Sequence, residues 1–149
     1  MLFYCLLSGA LHGCVYGRGY PDLSVGSQVP AVLSGVPMIM TGTSVSTPVM
    51  AGLVMHLNAA IRDEPGLQHQ KIGFMNPFLY WAARKYPTAF TDITIGSNFV
   101  YDSSGRRCPL GYETAPAGWD PVTGLGMPNI KVLQRAAVKW VKRQIKKSK

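Results

Sequence analysis

The sequence has few acidic residues, and its positive charge is concentrated at one end. Asp and Glu number 7 in 149 residues against 15 Lys and Arg, which gives a formal net charge of +8. Residues 1–130 carry equal numbers of basic and acidic groups, so the whole surplus lies in residues 131–149. Because a basic tail is not a basic protein body, we predict no specific nucleic-acid partner.

The sequence also lacks zinc-binding cysteine spacings and a long uninterrupted apolar run. Cys5, Cys14 and Cys108 form no CxxC pair and no Cys/His cluster, which argues against a zinc site. The apolar start, residues 1–16, is broken by glycines and polar residues and falls short of the roughly 18 residues of a membrane span. Since no basic residue precedes it, we favour a buried strand or an artefactual start over a signal peptide. We predict no transmembrane segment.

The composition indicates one folded domain. Hydrophobic residues make up 47% and charged residues only 15%, which is too apolar and too weakly charged for a disordered chain. The 16 Gly and 11 Pro indicate many turns and argue against a helical bundle. We divide the chain into the start at 1–16, a main body at 17–130 and a basic tail at 131–149.

The first half of the body predicts a hairpin followed by an apolar helix. Two short apolar runs, 28–33 and 36–40, flank Ser34-Gly35, which is typical of a β-hairpin. Residues 44–61 then change to a helical period, with Pro48 in the first turn, where proline is tolerated. Because this helix is apolar almost all round, we expect it to be buried.

The second half predicts two helices separated by a long loop. Residues 77–85 form a short helix with Asn76 as its N-cap, and residues 129–149 form a helix with one apolar and one basic face. Between them, residues 91–128 are dense in Gly, Pro, Ser and Asp. Because a loop of this length is unusual inside one domain, we expect a bound group, such as a metal ion, to hold it in place.

A serine at the junction of the hairpin and the helix is the best candidate for chemistry. Residues 41–48 read Thr-Gly-Thr-Ser-Val-Ser-Thr-Pro, and they place Ser44 at the start of the apolar helix. A helix N-terminus offers unpaired N–H groups and a partial positive charge, which favour an oxyanion beside the serine. From these residues alone, a simple helix cap is the competing interpretation.

The serine segment resembles the active-serine segment of the subtilisin-like peptidases, and its Ser-Thr-Pro form resembles the serine-carboxyl peptidases, or sedolisins. Four further segments match that family in order: Gly17–Asp22, Asn76–Tyr80, Phe90–Asn98 and Gly118–Asn129. The resemblance is to the C-terminal part of the catalytic domain in this family, which includes lysosomal tripeptidyl peptidases. It implies an α/β fold in which the chain supplies part of a subtilisin-like parallel sheet flanked by helices.

The resemblance implies Ser44 as the nucleophile of acid-active peptide hydrolysis, through an acyl-enzyme and with release of tripeptides. Family members activate this serine with an upstream glutamate, held by an aspartate, and use a further upstream aspartate at the oxyanion. Here Asp22 is the only acidic residue before Ser44, and His12, His56 and His69 do not obviously replace the base. We therefore expect that the chain alone is inactive and needs an upstream part of the peptidase domain.

The resemblance also implies one calcium ion in the loop at 91–128. Matched by position, the ligands are the side chains of Asp92 and Asp120 and the carbonyls of Ile93, Pro116 and Gly118. Asp102, Ser103 and Glu113 lie between them, and we expect these residues to face solvent.

Two other functions stay open beside a partial serine-carboxyl peptidase that acts on peptides or proteins. One is a non-catalytic calcium-binding scaffold of the same fold, and the other is an anionic-surface binder that uses the tail. The resemblance implies a lysosomal or secreted location.

Overall fold

A computed structural model of the chain describes residues 19–26, 28–107 and 111–148. The apolar start, all three cysteines and His12 lie outside the described residues, so the expectations for them stay predictions. The elements in chain order are β1 (Val29–Leu33), β2 (Val36–Met40), α1 (Thr43–Arg62), α2 (Met75–Lys85), β3 (Phe90–Thr91), β4 (Met127–Pro128) and α3 (Ile130–Lys147).

The mixture of helices and strands agrees with an α/β chain, but the strands do not form a parallel sheet. β1 pairs with β2, and β3 pairs with β4, each as a two-stranded antiparallel sheet. Strands joined by a two-residue turn can only be antiparallel, and parallel neighbours need a crossover connection. Within the described ranges, the expected parallel sheet is therefore not formed by these strands.

The predicted hairpin is confirmed. Val29 pairs with Met40, and Leu33 pairs with Val36 across the two-residue turn. Ser34 and Gly35 both have positive φ, at 50° and 82°, which is the type I′ turn that matches the twist of two strands.

Helix α1 is confirmed, but the expectation that it is buried is wrong for most of its length. Only Val45, Leu57 and Ile61 are buried, whereas Met55 is 73% exposed. Leu57 and Ile61, in the C-terminal half of α1, belong to the core together with residues of α2 and α3, whereas Val45 is the one buried residue in the described N-terminal half. By length and composition alone α1 could cross a membrane, which is weak support for a span because core helices pass the same test.

The hydrophobic core lies where α1, α2 and α3 meet. Leu57, Ile61, Phe78 and Leu133 are fully buried in it. Around Phe78 the ring of Trp140 packs edge-on, with 6.1 Å between the centroids, and Trp81 lies beside both rings. These side chains fix how α2 and α3 sit on the end of α1.

Helix α2 begins earlier than predicted, and Asn76 does not cap it. The N-cap is Phe74, which makes no side-chain capping bond, and Asn76 lies inside the first turn. Its amide instead donates to the carboxylate of Asp22, at 2.8 Å. Asn76 therefore serves as a donor to a carboxylate from a distant segment, and its side-chain oxygen does not cap the helix.

Helix α3 docks on the core by its apolar face. Leu133, Ala136, Ala137 and Val141 are buried, while its Lys and Arg residues are exposed. Asn129 caps the helix, accepting a hydrogen bond from the N–H of Val132 at 3.5 Å. Lys142 makes an ion pair with Glu64, which ties α3 to the turn after α1.

Candidate active site and metal loop

Ser44 lies in the first turn of α1, and its side chain is exposed. Its hydroxyl makes no hydrogen bond within the described part of the chain. The next hydroxyls behave differently, because Thr47 donates to the Thr43 carbonyl at 2.9 Å and Ser46 donates to the Gly42 carbonyl at 3.5 Å. Among the described residues, the hydroxyl of Ser44 is therefore exposed and without a hydrogen-bond partner.

Gly42 shapes the backbone that presents the serine. It is the N-cap of α1, with φ 115° and ψ 168°, a region that is open essentially to glycine alone. Its carbonyl accepts from the N–H groups of Val45 and Ser46. The N–H groups of Thr43 and Ser44 take no acceptor in the described ranges, as is normal for a helix start, and they can face an anionic oxygen.

No base is hydrogen-bonded to Ser44 among the described residues. His56 lies on the same helix about 18 Å further along its axis, since each residue rises about 1.5 Å, and it lines a groove between α1 and α3. Asp22, the one acidic residue before the serine, is bonded to Asn76 and Tyr80. A serine hydroxyl without a base is a weak nucleophile, so no described residue of this chain activates Ser44.

Asp120 organises the end of the long loop. It is 2% exposed, and its carboxylate accepts from the N–H groups of Ala115, Val122 and Thr123 and from the Thr123 hydroxyl, at 2.8–3.3 Å. Burial raises the pKa of this carboxyl, but the hydrogen bonds outweigh burial and lower the pKa below 3.8. Asp120 is thus held as a buried carboxylate anion.

Asp92 differs from Asp120 because one of its oxygens has no partner. Oδ2 accepts from the N–H of Gly118 at 2.6 Å, whereas Oδ1 is buried without a hydrogen bond in the described structure. Asp92 and Gly118 also line a cavity of about 160 Å³. A buried anionic oxygen without a donor is unfavourable, and a hard cation is one group that satisfies it.

The structure brings together some of the five predicted ligand residues. Asp92 contacts Gly118 directly, and Asp120 contacts Ala115, the neighbour of Pro116. Ile93 adjoins Asp92 in the chain and is partly buried. Within the described ranges no three His, Cys, Asp or Glu side chains converge. Asp92 therefore keeps an oxygen that a hard cation can satisfy, whereas donors from the described chain already occupy the Asp120 carboxylate, so the calcium site stays a prediction.

Asp102, in the same loop, stabilises the turn in which it lies. Its carboxylate accepts from the N–H groups of Ser104 and Arg106 and from the Ser104 hydroxyl, at 2.6–2.9 Å. These bonds, led by the Ser104 hydroxyl, lower the pKa of Asp102. Ser103 and Glu113 are exposed, as expected, and Asp102 is partly covered by its own partners.

The sequence interpretation missed the importance of Asp22. Its carboxylate links the segment before the hairpin to α2, and its carbonyl accepts from the N–H of Leu125 in the long loop. The signal in the sequence is weak, because one aspartate in a Gly/Pro-rich stretch normally caps a turn. Only the contact with residues more than 50 positions away reveals its role.

Comparison with known proteins decides the family. The chain is 40% identical to Tripeptidyl-peptidase 1 of Dictyostelium discoideum over 78% of its length, and 42% identical to Physarolisin of Physarum polycephalum over 74%. The chain belongs to the sedolisin family. It is also 41% identical to Tripeptidyl-peptidase sed4 of Aspergillus fumigatus over 79% of its length. No protein-family model matches it.

This sedolisin chain spans about a fifth of the length of the curated relatives that it matches, since the aligned part covers 18% of two of them and 21% of the third. About four fifths of each relative's length therefore has no counterpart in the aligned part of this chain.

Proposed function

We propose that the chain is the nucleophile-bearing part of a sedolisin peptidase and that Ser44 is its nucleophile. The observation that supports this most strongly is the exposed, unbonded Ser44 hydroxyl at the N-terminus of α1, behind Gly42. In the reaction, Ser44 Oγ attacks the carbonyl carbon of a peptide bond while a base takes the hydroxyl proton. The amine leaves with a proton, and water then releases the acyl group from the serine.

The same proposal assigns the base to residues that this chain does not bring to Ser44. Neither a carboxylate nor an imidazole is bonded to that serine in the described ranges, and the chain spans a fifth of its relatives' length. We propose that the upstream part of a sedolisin domain supplies the acidic residues. The substrates are then peptides or proteins, with tripeptide release as in the relatives' names.

The test is a chimera in which this chain replaces the aligned segment of the Dictyostelium relative. Acid-dependent hydrolysis of a tripeptide substrate should appear in the chimera and vanish in Ser44→Ala, because a methyl group cannot attack a carbonyl. Ser104→Ala, the same chemical change at an exposed loop serine, should keep the activity. The 149-residue chain alone should hydrolyse no more substrate than its own Ser44→Ala variant between about pH 3 and 7. Activity in the Ser44→Ala chimera would disprove the proposal.

We also propose one structural calcium ion in the loop at 91–128, held by Asp92, Asp120 and the carbonyls of Ile93, Pro116 and Gly118. The buried Asp92 Oδ1 without a donor supports it. The ion would cross-link two ends of a loop that contributes few buried apolar side chains, and it would have no step in the hydrolysis. If the site binds, calcium at one hundred times its dissociation constant should stabilise the fold by about 2.7 kcal/mol.

Thermal melts of the full chain with calcium and with chelator test this site. Asp92→Asn should remove most of the calcium-dependent shift, because the free oxygen belongs to that carboxylate. Asp102→Asn removes one charge from the same loop and should leave the shift intact. Equal melting temperatures with calcium and chelator, or an equal effect of the two variants, would exclude this ligand set.

The non-catalytic scaffold is the alternative, and it predicts calcium stabilisation together with an inactive chimera.

The lysosomal or secreted location and the absence of a specific nucleic-acid partner stay predictions, and the location rests on the family resemblance alone.

A further inference from the structure

Residues 19–26, which we call the strap, run between α2, the long loop and the start of α1. We propose that Asp22 in the strap is a positioning residue. It fixes Asp92 and Asp120, the two carboxylates of the loop at 91–128 (the metal loop), and it ties that loop to helix α1, which carries Ser44. This inference rests on the proposed function, in which the loop at 91–128 binds calcium and Ser44 is the nucleophile. Asp22 is neither a calcium ligand nor the nucleophile in that proposal.

The first step is the attachment of Asp22 to α2. Its Oδ2 accepts from the Asn76 amide at 2.8 Å, and its Oδ1 accepts from the Tyr80 hydroxyl at 3.0 Å. Asn76 and Tyr80 are four residues apart on the helix, so they present both donors on one face. Hydrogen bonds to an ionised acceptor are roughly twice as strong as neutral ones. The carboxylate thereby fastens the strap to a helix that belongs to the core.

The second step is the contact between the strap and the long loop. The Asp22 carbonyl accepts from the N–H of Leu125 at 2.9 Å, and Ser24 donates its N–H to the Gly126 carbonyl and its hydroxyl to the Thr123 carbonyl, at 3.1 and 3.0 Å. At Gly124 the two backbones approach so closely that a Cβ would overlap the Asp22 carbonyl. The strap and residues 123–126 therefore form one bonded unit.

The third step connects this unit to both carboxylates of the metal loop. Thr123 donates its N–H and its hydroxyl to Asp120. Gly126 packs on the backbone of Thr91 and Asp92 without room for a Cβ. A shift of the strap would consequently move the partners of both Asp120 and Asp92.

The fourth step connects the strap to the nucleophile helix. The hydroxyl of Ser46, two residues after Ser44, lies 3.5 Å from the Val25 carbonyl and 3.5 Å from the Gly42 carbonyl, and it can donate its proton to either. At the other end of the strap, Trp119 donates to the Pro21 carbonyl at 2.9 Å and covers Gly19. Asp22 lies between these attachments, where its side chain is the link to α2.

The test compares three variants of the full chain. Asp22→Asn removes the negative charge, so the hydrogen bonds that Asn76 and Tyr80 donate to this side chain become neutral and weaker. The double exchange Asp22→Asn with Asn76→Asp reverses donor and acceptor and restores the pair. Asp102→Asn is the charge-matched control, because that carboxylate binds only within its own turn in the described contacts.

Amide hydrogen exchange followed by mass spectrometry provides the main readout. Asp22→Asn should speed exchange in residues 118–126 and 45–47 about tenfold, the factor expected when hydrogen bonds to a charged group become neutral ones. Exchange in the core of α3 should change less, the double exchange should restore the wild-type rates, and Asp102→Asn should leave both segments unchanged. Faster exchange confined to the strap and α2, a uniform increase through the chain, or no rescue by the double exchange would overturn the inference.

Terbium binding provides the second readout, since Tb³⁺ is a calcium substitute whose emission Trp119 can sensitise from its place between Gly118 and Asp120. Asp22→Asn should weaken terbium affinity about tenfold, and the double exchange should restore it. If the wild-type chain binds no terbium, the metal proposal fails, while hydrogen exchange still decides the role of Asp22. If wild type and Asp22→Asn bind equally well, the positioning role fails and the metal site stands.

Discussion

Two regions of the chain differ in how far their apolar side chains are buried. One is the hairpin with the first turns of α1, and the other is the region around α2 and α3. In the hairpin, Val32 is 70% exposed and Ile39 is 67% exposed, whereas Phe78 and Leu133 in the core are fully buried. A two-stranded hairpin is marginally stable by itself, and an exposed apolar patch normally marks a contact surface. The hairpin before Ser44 thus leaves apolar side chains exposed, while the α2–α3 region packs within the described chain.

The largest expected effect is the loss of a core side chain on the packed side of this comparison. Phe78→Ala should lower the free energy of unfolding by about 3–5 kcal/mol, because it removes a fully buried ring and leaves a cavity. Ile39→Ala, a truncation on the exposed side, should change it by less than about 1 kcal/mol. Urea denaturation of the full chain measures both. A loss at Ile39 as large as that at Phe78 would show that the hairpin is covered in solution.

An intermediate effect is expected at Asp120. Asp120→Asn should destabilise the fold by about 1–3 kcal/mol in chelator, because the amide leaves buried N–H donors without their acceptor. The matched change Asp63→Asn, at an exposed carboxylate, should have little effect. Denaturation in the presence of chelator separates this contribution from any calcium effect.

Asp120 should also make the free energy of unfolding depend on pH in acid. Its pKa is lower in the folded chain than its ordinary value of 3.8, so the unfolded chain binds the proton more readily. The stabilisation by Asp120 is therefore fully present above its unfolded pKa and is lost as the pH falls through the folded pKa. Asp120→Asn should flatten the pH dependence of stability below about pH 4. An unchanged acid slope in the variant would disprove this assignment.

The smallest effect is expected at a surface ion pair between α3 and the turn after α1. Lys142 contacts Glu64, and their side chains are 49% and 34% exposed. Pairs in such positions contribute about 0–1 kcal/mol, so Glu64→Gln should lower stability by no more than that, and less at high salt. Denaturation at two salt concentrations measures it. A larger effect would mean that this contact, and not the aromatic core, fastens α3.

The predicted elements that depend on local pattern were confirmed. The hairpin follows from two apolar runs around Ser34-Gly35, since a two-residue turn brings its flanking strands together. The docked face of α3 follows from apolar residues three and four positions apart. Ser44 and the five calcium residues follow from ordered family motifs, and their roles stay predictions for the chimera and the melts.

The predictions that failed concern partners distant in the chain. Asn76 was predicted to cap α2, but it donates to Asp22, 54 positions away. Helix α1 was predicted to be buried, but only Val45, Leu57 and Ile61 of its 20 residues are buried in the described structure, and two of these three lie in its C-terminal half. The hydropathy of a segment predicts that a helix is buried, but it does not identify the residues that bury it.

The sequence by itself determined the local elements, the sedolisin relationship and the position of Ser44 at a helix start. These properties depend on neighbouring residues and on motif order, which are read directly from the chain. The tertiary structure alone decided that Asp22 joins α2 to the loop, that Asp120 is fully hydrogen-bonded and that Asp92 keeps a free oxygen. Each of these depends on a donor brought from another segment, and the number of donors that reach a carboxylate is set only when the chain is folded.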